Sequence, residues 1–448
     1  MKFKRHIYLL IIFVSATIAQ DYDVSECIKI AIDRKGTLVS AGLDVESANQ
    51  GLLGSYSGLL PSLNFSTASG KTKYPDQEII IPDLVNLEID TVSSGESSYM
   101  SAGLSINQTI YNGGKSLNTV KQAKVNLKIA KLRKRNTKIQ VIQNVTSSYY
   151  GLLKAQQLLE VALKNLSLSE KQVNLVQKQF ELGAVRKTDL LKANVSMGQA
   201  KVELLNRKTS LENSRRQLFN DMGMIDFGQS IQAKSSDWIP VSVPSSAEAL
   251  GLLKEKNPNV LIQKAAIEIG NIQFKIAKGM RSPSAFASID YSASGDNSEQ
   301  LKESLKDDWR LGVSMAINFP IFSGNSLSTA QQQAKLSQRK YENDYLTFLN
   351  DLRVQVELIR KSIMNYSEII PINQDVVSAA EEDLKLVQKR YSIGSATILE
   401  VLDAQVSLIR SNSTLINTVH DARIQEMRLK ALLGMLDLEY QTKEEEIK

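Results

Sequence analysis

The sequence predicts an internally duplicated protein of mixed α and β structure, in which each copy joins a pair of short strands to a hairpin of very long helices. Three observations carry this reading. The stretch LVQKQFELGAVRKTDLL (175–191) returns as LVQKRYSIGSATILEVL (386–402), 211 residues later. Apolar residues recur every seven positions along two segments too long for an ordinary globule. Near 100–106 and 311–317, apolar residues alternate strictly with small ones, the period of a strand.

At the N-terminus, Lys2, Lys4 and Arg5 precede a short apolar run (7–14) and small residues ending at Ala19. This order predicts a secretory signal peptide over 1–19. The apolar run is well short of the roughly 20 residues of a spanning helix. Without these three charges the formal +6 falls to about +3, so the charge offers no argument for nucleic acid. The basic residues read as interspersed with acidic ones on solvated helical faces.

Cys27 is the only cysteine, which excludes a disulfide framework and a cysteine-based zinc site, and it reads as a small apolar residue on a short helix. The histidines are His6, within the leader, and His420, alone on a helix. No nucleophile triad, phosphate loop or metal cluster can be assembled, so neither enzyme, metal nor cofactor is expected.

Over 175–196 against 386–407, nine of 22 pairs are identical. The same spacing pairs Asn107 with Asn318 and Gly113 with Gly324, and a spacing of 222 further upstream pairs Glu26 with Glu248 and Pro61 with Pro283. The chain then divides into a first repeat (20–224, strand pair 62–110, tip near 183–189) and a polar, proline-containing linker (225–245). A second repeat follows (246–436, strand pair 284–321, tip near 394–403), then a tail (437–448).

Nothing breaks a helix over 115–182, a rod of roughly 100 Å at about 1.5 Å per residue. Val145, Leu152, Leu159, Leu166, Val173 and Phe180 form its seven-residue seam, matched by Val356, Ile363, Ile370, Val377, Leu384 and Tyr391 in the second copy. Pro371, standing where the first copy has Glu160, is expected to kink the second rod. Gly183 and Gly394 end the incoming helices; Thr188 and Asp189, or Ser395 and Thr397, are available to cap the returning ones.

In the strands, Met100, Ala102, Leu104 and Ile106 alternate with small residues, as do Leu311, Val313, Met315 and Ile317, with Tyr291 and Trp309 as interfacial aromatics. Transmembrane β-strands show this pattern, and so does a solvent-facing hairpin with one buried face. Four strands cannot close a barrel, which needs about eight, and an open edge is not tolerated in lipid. If these strands span a membrane, several chains must pool them.

The helix opening SECIKIAI, the strand entry GLLPSL, the exits IYNGG and IFSGN and the tip YSIGSATILEVLDAQ resemble the TolC-like outer-membrane efflux proteins, over essentially the whole mature chain. That resemblance implies a homotrimer with a 12-stranded transmembrane β-barrel continued by a periplasmic α-helical barrel, in the outer membrane of a Gram-negative-type bacterium. A belt would form from 20–35, 225–250 and the tail after about Leu436. The function implied is a passive exit duct of a tripartite efflux pump or type I secretion system. Its partners would be outer-membrane lipid, a periplasmic adaptor (membrane fusion) protein and an inner-membrane transporter.

The resemblance makes Glu400 and Asp403 the pore acidic rings. Thr188, Asp189, Tyr391 and Arg186 become the periplasmic gate, and Gly183 and Gly394 the tip turns facing pump and adaptor. The family's latch arginine is Ala396 here, with Arg186 or Lys187 as the available substitutes. The alternative from another class is a soluble periplasmic coiled-coil adaptor or scaffold.

Overall fold

The computed structural model describes residues 20–74, 78–82, 89–93, 95–224, 231–233 and 242–440. The expected leader, most of the linker and the end of the tail lie outside the described residues. In chain order the elements are β1 (Gln20–Tyr22), α1 (Val24–Arg34), α2 (Gly36–Ser55), β2 (Ser62–Lys73), β3 (Glu78–Pro82), β4 (Ile89–Ser93), β5 (Glu96–Asn112), α3 (Lys115–Glu181) and α4 (Lys187–Asp221). Then come β6 (Ile231–Ala233), α5 (Ser246–Lys256), α6 (Pro258–Gly279), β7 (Ser284–Gly295), α7 (Ser298–Asp307), β8 (Arg310–Asn318), α8 (Ser326–Ser392) and α9 (Ile398–Leu432). The described residues form two compact units, one drawn from 1–43, 132–262 and 346–448, the other from 44–131 and 263–345.

The second unit holds a four-stranded antiparallel sheet in the order β2-β5-β7-β8. Its register sorts the side chains by chemistry, because successive residues of a strand point to opposite faces. One face carries Leu63 and Phe65 beside Ile106 and Leu104, then Ile289 and Tyr291, then Val313 and Leu311. The other carries Asn64, Ser105, Asp290 and Gly312 in one row, with Ser288 beside Ser314. Both β2 and β8 are edge strands, and every residue of β8 is exposed. Between β7 and β8 stands α7, which alternation does not reveal. Asn297 caps it by accepting from the N–H groups of Glu299 and Gln300, and Leu301 is buried. A small hairpin, β3 with β4, stands between β2 and β5.

The first unit packs α1 on the paired rods. Cys27, Ile28 and Ala31 meet Ile142, Val145, Tyr149, Leu152, Leu218, Phe219, Met222 and Met427 in one core. An Asp23–Glu26 capping box starts α1, and Ser245 caps α5 at the corresponding place. Strands β1 and β6 pair in parallel beside this core, bringing together two segments of the expected belt. The tail is held by Arg135, which donates to Asp437 at 2.7 and 3.1 Å and to the carbonyls of Lys256 and Gly434 at 3.0 and 2.8 Å.

Helix α3 corrects the expected seam. Val145 and Leu152 are buried, but Leu159, Leu166 and Val173 are only half-buried and Phe180 is exposed. From the middle of the rod onward the buried line is instead Ala155, Ala162, Ser169 and Val176, again seven apart. Small side chains are readily covered by a neighbouring helix, and the larger Leu159 and Leu166 flank this line. In α8 the expected seam is the buried one, at Val356, Ile363, Ile370, Leu384 and Tyr391, with Val377 half-buried. Helix α8 also continues through Pro371 without interruption.

Candidate functional site

Both hairpin tips lie in the first unit and share one core. Val176 and Ala193 from the first hairpin pack with Leu384, Val387, Tyr391, Ile398, Val401 and Ala404 from the second. The turns have the same construction. Gly183 has φ +72° and its N–H donates to Phe180 O at 2.9 Å, while Ala184 N–H reaches back to Gln179 O at 2.8 Å. Gly394 has φ +78°, with N–H to Tyr391 O at 3.0 Å and Ser395 N–H to Arg390 O at 2.9 Å. This is the glycine-terminated helix end in which left-handed backbone satisfies the last carbonyls. At the apex, Leu182 and Ile393 occupy matching positions and are 84% and 79% exposed, so the tips present apolar side chains outward.

The returning helices restart differently. On the second tip, Thr397 Oγ1 accepts from Glu400 N–H at 3.3 Å and Glu400 Oε1 accepts from Thr397 N–H at 3.0 Å, a reciprocal capping box. Ser395 is not the cap; its hydroxyl donates to Arg390 O. On the first tip, Asp189 accepts from Arg186 N–H at 3.4 Å, and Thr188 lies exposed within the first turn of α4 without capping it.

Glu400 is the electrostatic centre of the second tip. The Thr397 backbone and hydroxyl bonds, and then the Arg390 guanidinium at 3.5 Å, hold its carboxyl below the usual carboxylate range. Arg390 also donates to Ser395 O at 3.0 Å, which ties the helix end across the turn. Asp403, one turn along the same face of α9, is exposed. Tyr391 is buried, and its hydroxyl has no hydrogen-bond partner among the described residues. Burial first, then the negative charge of Asp189, push its pKa up. The structure thus brings Tyr391 and Asp189 together without a bond between them. The Arg186 side chain has no bond among the described residues, and Ala396 packs on the tip core.

Sequence reasoning missed two features here. Arg390, next to Tyr391 in sequence, bridges the turn to Glu400. Gln405 is buried between the hairpins, donating to Asn165 Oδ1 at 2.6 Å and Ser169 Oγ at 2.9 Å. The seven-residue line of small side chains ending in Ser169 and Val176 was the available signal for the second.

The outer membrane efflux protein family matches this chain over residues 27–224 and 249–435. Outer membrane efflux protein BepC of Brucella suis is 22% identical over 245 residues, 54% of this chain and 52% of that protein. The chain therefore spans about half the length of BepC in that match. Outer membrane protein TolC of Vibrio cholerae is 23% identical over 374 residues, 81% of this chain and 79% of that protein. Among solved structures, CusC superimposes with a TM-score of 0.80 at 20% identity, covering 93% of each chain, a likeness that shows the fold. With the family matching both copies of the repeat, the chain belongs to the outer membrane efflux protein family and is an outer-membrane protein that extends into the periplasm.

Proposed function

We propose that the chain is the protomer of a trimeric exit duct, conducting substrates passively from an inner-membrane transporter through the periplasm and outer membrane. The observation that carries this reading is the open four-stranded sheet with one apolar and one small-polar face. Leu63, Phe65, Val313, Met315 and Ile317 on its apolar face are 66–76% exposed in the single chain. At about 2 kcal/mol for each such side chain withdrawn from water, lipid contact would contribute on the order of 10 kcal/mol per chain. Two open edges require neighbouring copies, and three copies supply twelve strands.

Exposed seams on the rods support the same assembly. Leu191, Val195, Val202 and Leu205 line one face of α4, and Ile372 and Leu386 lie fourteen residues apart along α8. Such faces suit packing against a second copy. In the duct the paired tips would form the gate, with Thr188, Asp189, Arg186 and Tyr391 at the moving contact and Leu182 and Ile393 offered to a periplasmic adaptor. Glu400 and Asp403 would supply two rings of three carboxylates each, which favour cations.

The test is conductance in planar bilayers. Wild type should form cation-selective pores, and Glu400→Ala with Asp403→Ala should lose selectivity while still conducting. Absence of any conductance would sink the duct, and undiminished selectivity in the double variant would remove the acid rings. Recovery of the protein in the soluble periplasmic fraction would favour a scaffold instead.

A further inference from the structure

The helix-bearing end of the sheet carries a cluster of cations that the duct reading does not use. Between 97 and 159 the chain has no acidic residue, although Lys115, Lys121, Lys124, Lys128 and Lys131 all fall there. The expected interspersion of charges therefore fails on this stretch. Lys115 opens α3, whose first turn has no acidic residue. A cation there sits at the positive end of the helix dipole, the unfavourable end, so its placement calls for a negative partner from outside the helix.

The backbone gathers two more cations beside it. Gly113, at φ +66°, and Gly279 touch backbone to backbone, so closely that a Cβ on either would collide with the other's carbonyl oxygen. Lys115, Lys278 and Arg281 each lie within two residues of this contact, and all three are exposed. Among the described residues none of the three has a carboxylate within salt-bridge distance. The cluster belongs to one junction only: the second copy has Ser326 in place of Lys115, and the first has Tyr56 and Leu59 in place of Lys278 and Arg281.

Its surroundings identify the partner. At this end of the sheet Leu60, Tyr111, Met280 and Phe319 are 63%, 50%, 47% and 55% exposed. At the far end of β8 Tyr291 lies beside Trp309, ring centroids 5.7 Å apart and planes tilted by 32°. Trp309 and Phe319 flank β8, ten residues apart, about 33 Å along a strand at ~3.3 Å per residue. At a strand tilt of about 40° that is about 25 Å, the height of the apolar band of an outer-membrane barrel between its aromatic girdles. The cations stand just beyond the girdle on the side from which the helices leave.

We propose that Lys115, Lys278 and Arg281 bind the phosphate headgroup of an anionic phospholipid, of the phosphatidylglycerol class, in the periplasmic leaflet. Arginine supplies a fork of donors for phosphate oxygens and the lysines supply point charges, while the exposed aromatic and apolar side chains take the glycerol and upper acyl region. The inference rests on the outer-membrane location and not on the gate.

Native mass spectrometry of the full-length detergent-solubilised protein, with phosphatidylglycerol or phosphatidylethanolamine added, tests it. Wild type should retain phosphatidylglycerol preferentially, and each charge removed should cost about fivefold in affinity. Lys115→Gln with Lys278→Gln and Arg281→Gln should then lose about a hundredfold, and Lys115→Gln alone about fivefold, keeping the test available if the triple variant does not assemble. Removing Lys335, Arg339 and Lys340 by Gln substitution should leave binding within twofold. Conductance of the triple variant should be unchanged, which separates this idea from the duct. Unaltered lipid retention in the triple variant would overturn the proposal. So would an equal loss in the control, which would mark diffuse electrostatics, or displacement of the lipid by millimolar inorganic phosphate, which would mark a free-ion site.

Discussion

The Arg135–Asp437 pair makes an asymmetric prediction, because its two partners are buried unequally. Asp437 is 4% exposed and Arg135 is 26% exposed, and the guanidinium also serves the carbonyls of Lys256 and Gly434. Asp437→Ala removes two charge-assisted bonds but leaves an arginine that water can partly reach and two carbonyls still hold; the cost should be about 2 kcal/mol. Arg135→Ala leaves a carboxylate buried without its counter-charge and strands two carbonyls, at about 4 kcal/mol. The double variant removes the stranded charge and should fall between them. Denaturant unfolding followed by circular dichroism at 222 nm, with proteolysis of the tail as a local readout, measures the order. An Asp437→Ala variant as unstable as Arg135→Ala, or a double variant equal to the sum of the singles, would refute the assignment of the cost to an unpaired buried carboxylate.

Four further outcomes are expected. Gly183→Ala and Gly394→Ala should each cost about 1–2 kcal/mol, entirely from left-handed backbone, since an added Cβ meets nothing within 4 Å at either turn; an unchanged melting temperature would contradict this. Val313→Arg, on the apolar face of β8, should cost about 2–4 kcal/mol at mid-bilayer and reduce the yield in outer membranes, whereas Ser314→Arg on the opposite face should not. Burial, then Arg423 and Lys154, lower the pKa of His420 from 6.5 to about 4. The unfolded chain therefore binds this proton first, and stability should be full above about pH 6.5 and decline by about 3 kcal/mol toward pH 4. His420→Gln should flatten that slope in melts across the range. Burial pushes the Cys27 thiol up to about 12, so alkylation at pH 8 should be slow in the folded protein and fast only in denaturant.

The repeat was legible in the sequence because each copy needs the same backbone at the same places. Gly183 and Gly394 are left-handed at matching turns, as are Gly223 and Gly434, and Asp23 with Ser245 cap the matching short helices. The strand faces were legible for a similar reason, since a period of two allows only two assignments and chemistry separates them at once. The candidate gate was legible only as a set of residue types on two tips. That Tyr391 is buried beside Asp189 without bonding it, and that Arg390 holds Glu400, depends on how the tips pack on one core.

What the sequence by itself determined was local: the glycine turns, strand alternation and long unbroken rods, each fixed by interactions among residues a few positions apart. Tertiary structure decided which seam of each rod is buried. In α3 the leucine line yields to Ala155, Ala162, Ser169 and Val176, and in α8 the predicted line holds. A seven-residue period marks a helix that has a partner, but the face that partner takes is settled by tertiary packing, and Gln405 reaching Asn165 and Ser169 across 240 and 236 positions of chain is a contact that no local period encodes.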